Sequence, residues 1–431
     1  MIQTLNCAAS LSGTVRLPGD KSISHRYAML AAIAEGCSEI RGFAASQDCQ
    51  STLRCLRSLG TEWTQSDERI KIEGQGLRGL RKTEKRLDAG NSGTTIRLLS
   101  GILAGQPFET TLGGDPSLSS RPMGRILKPL KLMGAGVEAG EGERPPIKIR
   151  GGSLKGIRYS LPVASAQVKS CILLAGLYGD SATAVEERIP TRDHTEIALR
   201  EFGARIRIEG NWIEVEPNPK LRARDLEVPG DLSGAAFFIV ATALVDHSEV
   251  LLPRVGLNAK RRELLRYLVE AGADIAVENE SEAAGEPRGD LRVRYSADFL
   301  KGRLPAIRGA RVAALIDEIP VLSVLASQTA GGLEISEAGE LRVKESDRIS
   351  AIVSNLRAMG VEAIEKPDGL TIPGEMPLHG ADIVTKGDHR IAMAFGVAAL
   401  LARGETRIHD AECADVSFPG YWDALCGLIR S

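Results

Sequence analysis

Six short polar turns, each leading into a helix rich in Ala and Leu, cut this chain into units of similar length. They are Gly19-Asp20-Lys21-Ser22, Gly90-Asn91-Ser92-Gly93-Thr94, Ala164-Ser165-Ala166-Gln167, Gly230-Asp231-Leu232-Ser233, Ile316-Asp317-Glu318 and Gly387-Asp388-His389-Arg390. Their starts are spaced roughly 66 to 86 residues apart, longer than a solenoid unit. Most of these helices are expected to end near a Gly, at Gly36, Gly105, Gly179, Gly331 and Gly404. A second phrase stays in phase with the first: Leu59-Gly60, Met133-Gly134-Ala135, Phe202-Gly203-Ala204, Ala271-Gly272-Ala273 and Met359-Gly360. A Gly just past a helix is the expected left-handed cap. Alternating segments such as Arg205-Ile206-Arg207-Ile208 and Trp212-Ile213-Glu214-Val215 follow as strands. The sixth copy is cut short at Trp422–Leu425.

Each unit therefore reads strand, helix, strand, helix, strand, strand, in an α/β fold. A chain of 431 residues exceeds one ordinary core, and six units divide into two domains of three. No Pro- or Ser-rich linker marks the boundary. The polar stretch Glu278–Gly289 reads as an exposed loop insertion.

Bulk properties exclude several function classes. Net charge is −2, so no global field draws the chain to nucleic acid or an anionic membrane. Aromatic residues make up 4 %, too few for base-stacking platforms. The seven Cys are irregularly spaced with no Cys-x-x-Cys pair, as expected of free thiols in a reducing cytoplasm. Residues 1–20 show no signal-peptide pattern, and the longest apolar run, Ala235–Val245, is too short to span a bilayer.

Pseudo-equivalent helix starts can converge on one cleft. The first start carries Lys21, Ser22 and Arg26, with Asp20 or Ser22 able to cap the free amides. The second carries Asn91, Gly93, Thr94 and Arg97, and Gly93 permits close approach of a ligand to the backbone. The third carries Ser165 and Gln167, neutral groups suited to hydroxyls or phosphate oxygens. Second helices add Arg121, Arg192 and Arg348, and the sixth start adds Arg390. Any one Arg reads equally as a surface ion pair. Together, on electropositive helix starts in a nearly neutral protein, they point to a ligand with several negative charges. Two acids stand out. Asp317 lies in an apolar stretch, where it can also serve as a helix cap, and Glu345 lies between Lys344 and Arg348. Either can move a proton. No nucleotide-binding loop, dinucleotide fingerprint or His-Glu-x-x-His site occurs. His25, His194 and His389 do not form a ligand-spaced set, so supporting roles and no metal are expected.

Seven phrases carry a resemblance that runs in order over nearly the whole chain. They are Pro18–Arg26, Gly90–Thr94, Ser120-Arg121-Pro122-Met123, Ser165–Ser170, Thr191–Glu196, Leu341–Arg348 and Asp388–Met393. In them the chain resembles the enolpyruvyl transferases, and among these the 5-enolpyruvylshikimate-3-phosphate (EPSP) synthases, with a Ser-Ala-Gln form and an Arg-Asp-His phrase like those of the class II branch.

The resemblance implies a two-domain inverted α/β barrel of six βαβαββ units. Residues 20–230 would form one domain, inserted into a discontinuous domain of 1–19 plus 231–431. It implies transfer of the enolpyruvyl group of phosphoenolpyruvate to the 5-hydroxyl of shikimate 3-phosphate, without a cofactor, in a cytoplasmic monomer. Lys21, Ser22, Arg26, Ser165, Gln167, Arg192, Asp317 and Lys344 would hold shikimate 3-phosphate. Lys21, Gly93, Arg121, Gln167, Arg348 and Arg390 would hold phosphoenolpyruvate. Asp317 would act as base toward the 5-hydroxyl, and Glu345, with Lys21, would handle the proton at the methylene carbon. Val416 stands where many class I members have Lys. Gly93 stands where some glyphosate-tolerant members have Ala. The nearest rival is the sister transferase acting on UDP-N-acetylglucosamine, which uses a loop Cys that no Cys here matches. A non-catalytic anion-binding repeat scaffold would leave Asp317 and Glu345 without a task.

Overall fold

The computed structural model describes residues 1–430. Five of the six polar turns become helix N-caps through a short side chain. Asp20 accepts from the amide of Ile23, Ser92 from Thr95, Ser165 from Val168, Asp231 from Ser233 and Asp388 from Arg390, at 2.8–3.3 Å. Asp20, not Ser22, is thus the first cap. Each bond satisfies an amide that the helix itself leaves open.

The fifth start differs. Helix Ile319–Gln328 opens with Pro in its first turn, Glu318 occupies the cap position, and no side chain caps it. The expectation that Asp317 can cap is corrected. The preceding helix Ala310–Leu315 runs almost into this one, and the Glu318 amide is already bonded to the Leu315 carbonyl at 2.8 Å. Both carboxylates are left for other partners.

Five other helices, Gln47–Ser58, Gly124–Leu132, His194–Glu201, Glu263–Glu270 and Arg348–Ala358, end alike. The glycines that follow them, 60, 134, 203, 272 and 360, lie at φ between +88° and +99°. The amide one residue beyond returns to a Leu carbonyl five positions back: Thr61 to Leu56, Ala135 to Leu130, Ala204 to Leu199, Ala273 to Leu268 and Val361 to Leu356, at 2.8–3.0 Å. This is the Schellman closure, in which a left-handed glycine lets the chain turn back and pair the orphan carbonyls.

Three of the capped helices are buried nearly all round, as core helices are. Leu232–Leu244 and His389–Ala399 are buried at every residue, and Lys21–Ala32 from Ile23 onward.

The chain divides into two compact units. Among the described residues one comprises 1–18, 230–281 and 287–430; the other comprises 19–229 with 282–286. Each has its own hydrophobic core.

The second unit has three four-stranded sheets with the same plan. In strand order they are Leu226–Glu227, Glu35–Arg41, Arg69–Gln75, Trp63–Ser66; then Leu87–Asp88, Glu109–Gly113, Arg144–Arg150, Gly136–Gly140; then Arg158–Ser160, Thr183–Glu186, Trp212–Val215, Ile206–Glu209. In each the first pair is parallel and the remaining pairs are antiparallel. Gly36 belongs to the strand Glu35–Arg41 rather than to a helix end.

The first unit has one five-stranded and two three-stranded sheets. Ile2–Leu5 pairs antiparallel with Thr406–His409, and Ser10–Thr14 pairs with Glu249–Leu251 and with Ile429–Arg430. Glu278–Gly289 is not a loop insertion. It lies within two neighbouring strands, Asp274–Ala283 and Glu286–Arg294. The charges that look loop-like in sequence make cross-strand pairs: Arg292 reaches both Glu278 oxygens at 2.8 and 3.1 Å and Glu249 at 3.0 Å. Asn279 donates to Asp290 at 2.9 Å.

Candidate active site

In the second unit the basic residues of the helix starts are held by polar partners. Lys21, the first residue of its helix, places Nζ 2.9 Å from Asp48 Oδ2. Asp48 lies in the first turn of helix Gln47–Ser58. Arg26 lies one turn after Ser22 and is buried. Its Nε donates to Thr195 Oγ1 at 2.7 Å, Nη1 to the Ser22 carbonyl at 2.7 Å and Nη2 to Ser170 Oγ at 2.8 Å. Burial drags its pKa down to about 10, against the opposing pull of Glu196 and Asp20.

A second group gathers at the starts of helices Gly93–Ala104 and Ala166–Gly176. Arg97 Nη1 donates to Gln167 Oε1 at 2.6 Å, and Gln167 Nε2 donates to Thr94 Oγ1 at 2.9 Å. The Gln167 amide is thereby oriented at both ends. Arg121 lies in the turn before helix Gly124–Leu132, not within it, and is 5 % exposed. Its Nη2 donates to Asn91 Oδ1 at 2.7 Å and Ser117 Oγ at 3.2 Å, while Asn91 Nδ2 donates to Asp115 Oδ2 at 2.8 Å. Gly93 sits between these guanidinium groups: a Cβ there would stand 2.6 Å from Arg97 Nη1 and 3.4 Å from Arg121 Nη1. Ser165 caps its helix with a half-buried side chain, and half-buried Arg192 precedes helix His194–Glu201.

The first unit gathers the acids. Arg348, 1 % exposed at the start of its helix, is clasped by Asp388, with Nε to Oδ2 at 2.8 Å and Nη2 to Oδ1 at 3.2 Å. Its Nη2 also meets Glu345 Oε2 at 2.6 Å, and Nη1 lies 3.7 Å from Asp317 Oδ1. This bidentate clasp is the strong geometry for a buried Arg. Burial works against the Asp388 charge, but Arg348 and its hydrogen bond hold the carboxyl below its usual range. Burial likewise opposes the Arg348 charge, and Asp388 and Glu345 outweigh it, raising the guanidinium pKa. Arg390 Nη1 donates to the Asp317 carbonyl at 2.8 Å, and Nη2 is 3.9 Å from its carboxylate. Lys344 is half-buried at the end of the turn Gly339–Val343, so Lys344 and Arg348 are not one helical stripe.

Several members of these groups escaped the reading of the sequence. Glu318, buried beside Asp317, accepts from Ser233 Oγ, which also accepts from Arg261 Nη2. Arg261 Nη1 lies 3.5 Å from Glu318 and Nη2 3.7 Å from Asp231. Asp48, Asp115, Ser170, Thr195 and the Asp388 carboxylate were also missed as partners. The available signal was a short acid or hydroxyl at a helix cap or in a first turn, which covers Asp115, Asp388, Asp48 and Thr195 but not Ser170.

His25 and His194 have supporting contacts, with Nδ1 at 2.7 Å from Thr52 Oγ1 and from Glu286 Oε1 respectively. Among the described residues no group of three or more His, Cys, Asp or Glu is placed to hold a metal ion. Nor is any described helix long and apolar enough to cross a membrane.

Known proteins resemble this chain over nearly its whole length. The family described as EPSP synthase (3-phosphoshikimate 1-carboxyvinyltransferase) matches residues 5–425. The chain is 52 % identical over 425 residues to the 3-phosphoshikimate 1-carboxyvinyltransferase of Solibacter usitatus, covering 99 % of both chains. It is 52 % identical over 432 residues to that of Salinibacter ruber, again covering 99 % of each. Among solved structures, EPSP synthase from Acinetobacter baumannii superposes with a TM-score of 0.85 at 42 % identity, over 99 % of this chain and 98 % of that one. The chain belongs to the EPSP synthase (3-phosphoshikimate 1-carboxyvinyltransferase) family.

Proposed function

We propose that this protein transfers the enolpyruvyl group of phosphoenolpyruvate to the 5-hydroxyl of shikimate 3-phosphate, releasing phosphate, in the shikimate route toward chorismate and the aromatic amino acids. The observation that carries the reading is the set around Arg348. Three acids, Asp317, Glu345 and Asp388, meet one buried guanidinium, and a second arginine, Arg390, reaches Asp317, in a family that joins an alcohol to an enol phosphate.

Lys21, Ser22, Arg26, Ser165, Gln167, Arg192, Asp317 and Lys344 bind shikimate 3-phosphate. Lys21, Gly93, Arg121 and Gln167, with Arg348 and Arg390, bind phosphoenolpyruvate. Asp317 removes the proton of the 5-hydroxyl as its oxygen adds to C2 of the enol, while a proton reaches the methylene carbon. Glu345, helped by Lys21, delivers that proton and later takes one back, so the tetrahedral adduct expels phosphate and the double bond re-forms. Holding two mutually repelling anions in reacting geometry supplies much of the acceleration.

The finer architecture we propose is an inverted α/β barrel of six βαβαββ units, three in 20–230 and three in 1–19 plus 231–431. The common plan of the three sheets in the second unit supports it. We further propose a cytoplasmic monomer, in keeping with seven free cysteines. Cys49, whose Sγ lies 3.7 Å from the Lys21 carbonyl, is buried, and burial pushes its thiol up to about 12, which disfavours a nucleophilic Cys like that of the sister transferase.

Phosphate release measured with phosphoenolpyruvate plus shikimate 3-phosphate, plus UDP-N-acetylglucosamine, or alone tests the reading. Release with the first acceptor only is expected. Release with the second acceptor, or with none, overturns it.

A further inference from the structure

Beneath Arg26 lies a group of charges that the reaction does not use. Lys169, on helix Ala166–Gly176, is fully buried, with Nζ 2.9 Å from Glu187 Oε2 and 2.6 Å from Glu196 Oε1. Both carboxylates are almost completely buried as well. Glu187 follows strand Thr183–Glu186, and its other oxygen accepts from Thr191 Oγ1. Glu196 lies in the first turn of helix His194–Glu201. One ammonium group thus fastens both ends of the segment 187–196, and Arg192 lies within that segment, next to Thr191. The same helices meet again at Arg26, which donates to Ser170 on one and to Thr195 on the other.

An ion triad buried this deeply has no evident value for stability alone. Removing three charges from water costs several kcal/mol per ion, and an apolar trio of similar volume would serve as well or better. Its placement indicates another role. Helix Ala166–Gly176 also carries the Ser165 cap and Gln167, so Lys169 connects the elements bearing Ser165, Gln167 and Arg192, and its neighbour Ser170 receives Arg26. These four are residues assigned above to shikimate 3-phosphate; Gln167 is shared with the phosphoenolpyruvate set, whereas Arg121, held by Asn91, lies on other elements.

We propose that Lys169 is a positioning residue for the phosphorylated acceptor: through Glu187 and Glu196 it sets the segment that carries Arg192 against the helix that carries Ser165 and Gln167. The inference rests on the function proposed above.

Two variants of the full-length protein test it. Lys169→Met strands two buried carboxylates and can fail to fold; Thr191→Val removes only the outer link of the clamp and keeps its shape. For Thr191→Val we expect affinity for shikimate 3-phosphate, measured by calorimetric titration of that ligand alone, to fall by about threefold to tenfold. The melting temperature should stay within about 2 °C of the parent. For Lys169→Met, where it folds, the KM for shikimate 3-phosphate should rise by about tenfold or more while the KM for phosphoenolpyruvate changes by less than about threefold. Unchanged affinity in Thr191→Val overturns the inference whatever Lys169→Met does. Equal rises of both KM values in Lys169→Met also overturn it, as a general loosening of the fold would act on both ligands. A parent protein that neither binds shikimate 3-phosphate nor releases phosphate in its presence defeats the functional reading instead.

Discussion

Asp317 and Glu345 approach the same guanidinium from two sides: Arg348 Nη1 is 3.7 Å from Asp317 and Nη2 is 2.6 Å from Glu345. Neither acid lies adjacent to the other in sequence. A single buried cation therefore fixes the distance between the two groups to which proton transfers are assigned, and it is itself fixed by Asp388.

The roles of the acids separate in kinetics. Asp317→Asn keeps size and hydrogen bonding but cannot take a proton. Its kcat should fall by about a hundredfold or more, with each KM changed only a few-fold, in steady-state phosphate release. Losses of equal size in binding and turnover would contradict its role as base.

The Arg348–Asp388 clasp makes a prediction about stability. Arg348→Met leaves Asp388 buried without its main counter-charge, which should cost about 3–5 kcal/mol. Combining it with Asp388→Leu removes the stranded charge and should recover part of that loss. Urea unfolding of the two single variants and the double variant measures the coupling directly.

Gly93→Ala introduces a Cβ 2.6 Å from Arg97 Nη1. Arg97 must yield, and with it the Gln167 amide it orients. The KM for phosphoenolpyruvate, which Gly93 and Gln167 both serve, should rise severalfold, that for shikimate 3-phosphate should rise less, through Gln167 alone, and glyphosate should inhibit less strongly. An inhibition constant unchanged from the parent protein would refute this.

His25 supplies a pH dependence. Burial, reinforced by the charges of Lys21 and Arg26, holds its pKa well below 6.5. The folded state keeps the ring neutral where the unfolded chain already binds a proton. Stability therefore falls as pH drops below about 6.5, by up to about 1.4 kcal/mol per pH unit from this one group. Asp388 contributes with the sign of a depressed carboxylate: its share is present above the ordinary carboxylate range and is lost only in stronger acid. Urea midpoints at pH 7.5, 6.5 and 5.5 should decline, and His25→Gln should flatten the trend between the last two.

Gly272 isolates the energetics of the helix closures. Its φ is +99° and an added Cβ would meet nothing within 4 Å. Gly272→Ala should then cost about 1–2 kcal/mol of backbone strain, with unchanged kcat. A thermal melt beside an activity assay checks both halves.

Local signals were the legible ones. Asp20, Ser92, Ser165, Asp231 and Asp388 cap helices because a short acceptor before an apolar run has one evident use, and the five left-handed glycines follow the same logic. Asp317 failed as a cap because two helices abut there, a tertiary fact. Glu278–Gly289 failed as a loop because Glu278 and Asn279 are satisfied by Arg292 and Asp290 on an adjacent strand, and a sequence does not display partners across a sheet. The site was legible as a list of basic helix starts and two acids. The Lys21 counter-ion Asp48 and the Glu318 partner Arg261 were not, since each comes from a segment remote in the chain from the group it pairs with.

The pairing of Ile2–Leu5 with Thr406–His409, and of Ser10–Thr14 with Glu249–Leu251 and Ile429–Arg430, has a consequence for biogenesis. Strands Ile2–Leu5 and Ser10–Thr14 emerge from the ribosome long before Thr406–His409 and Ile429–Arg430, segments they pair with. Between these events residues 19–229, nearly all of the second unit, emerge as one uninterrupted stretch, so its core can form while the two strands wait for neighbours not yet made.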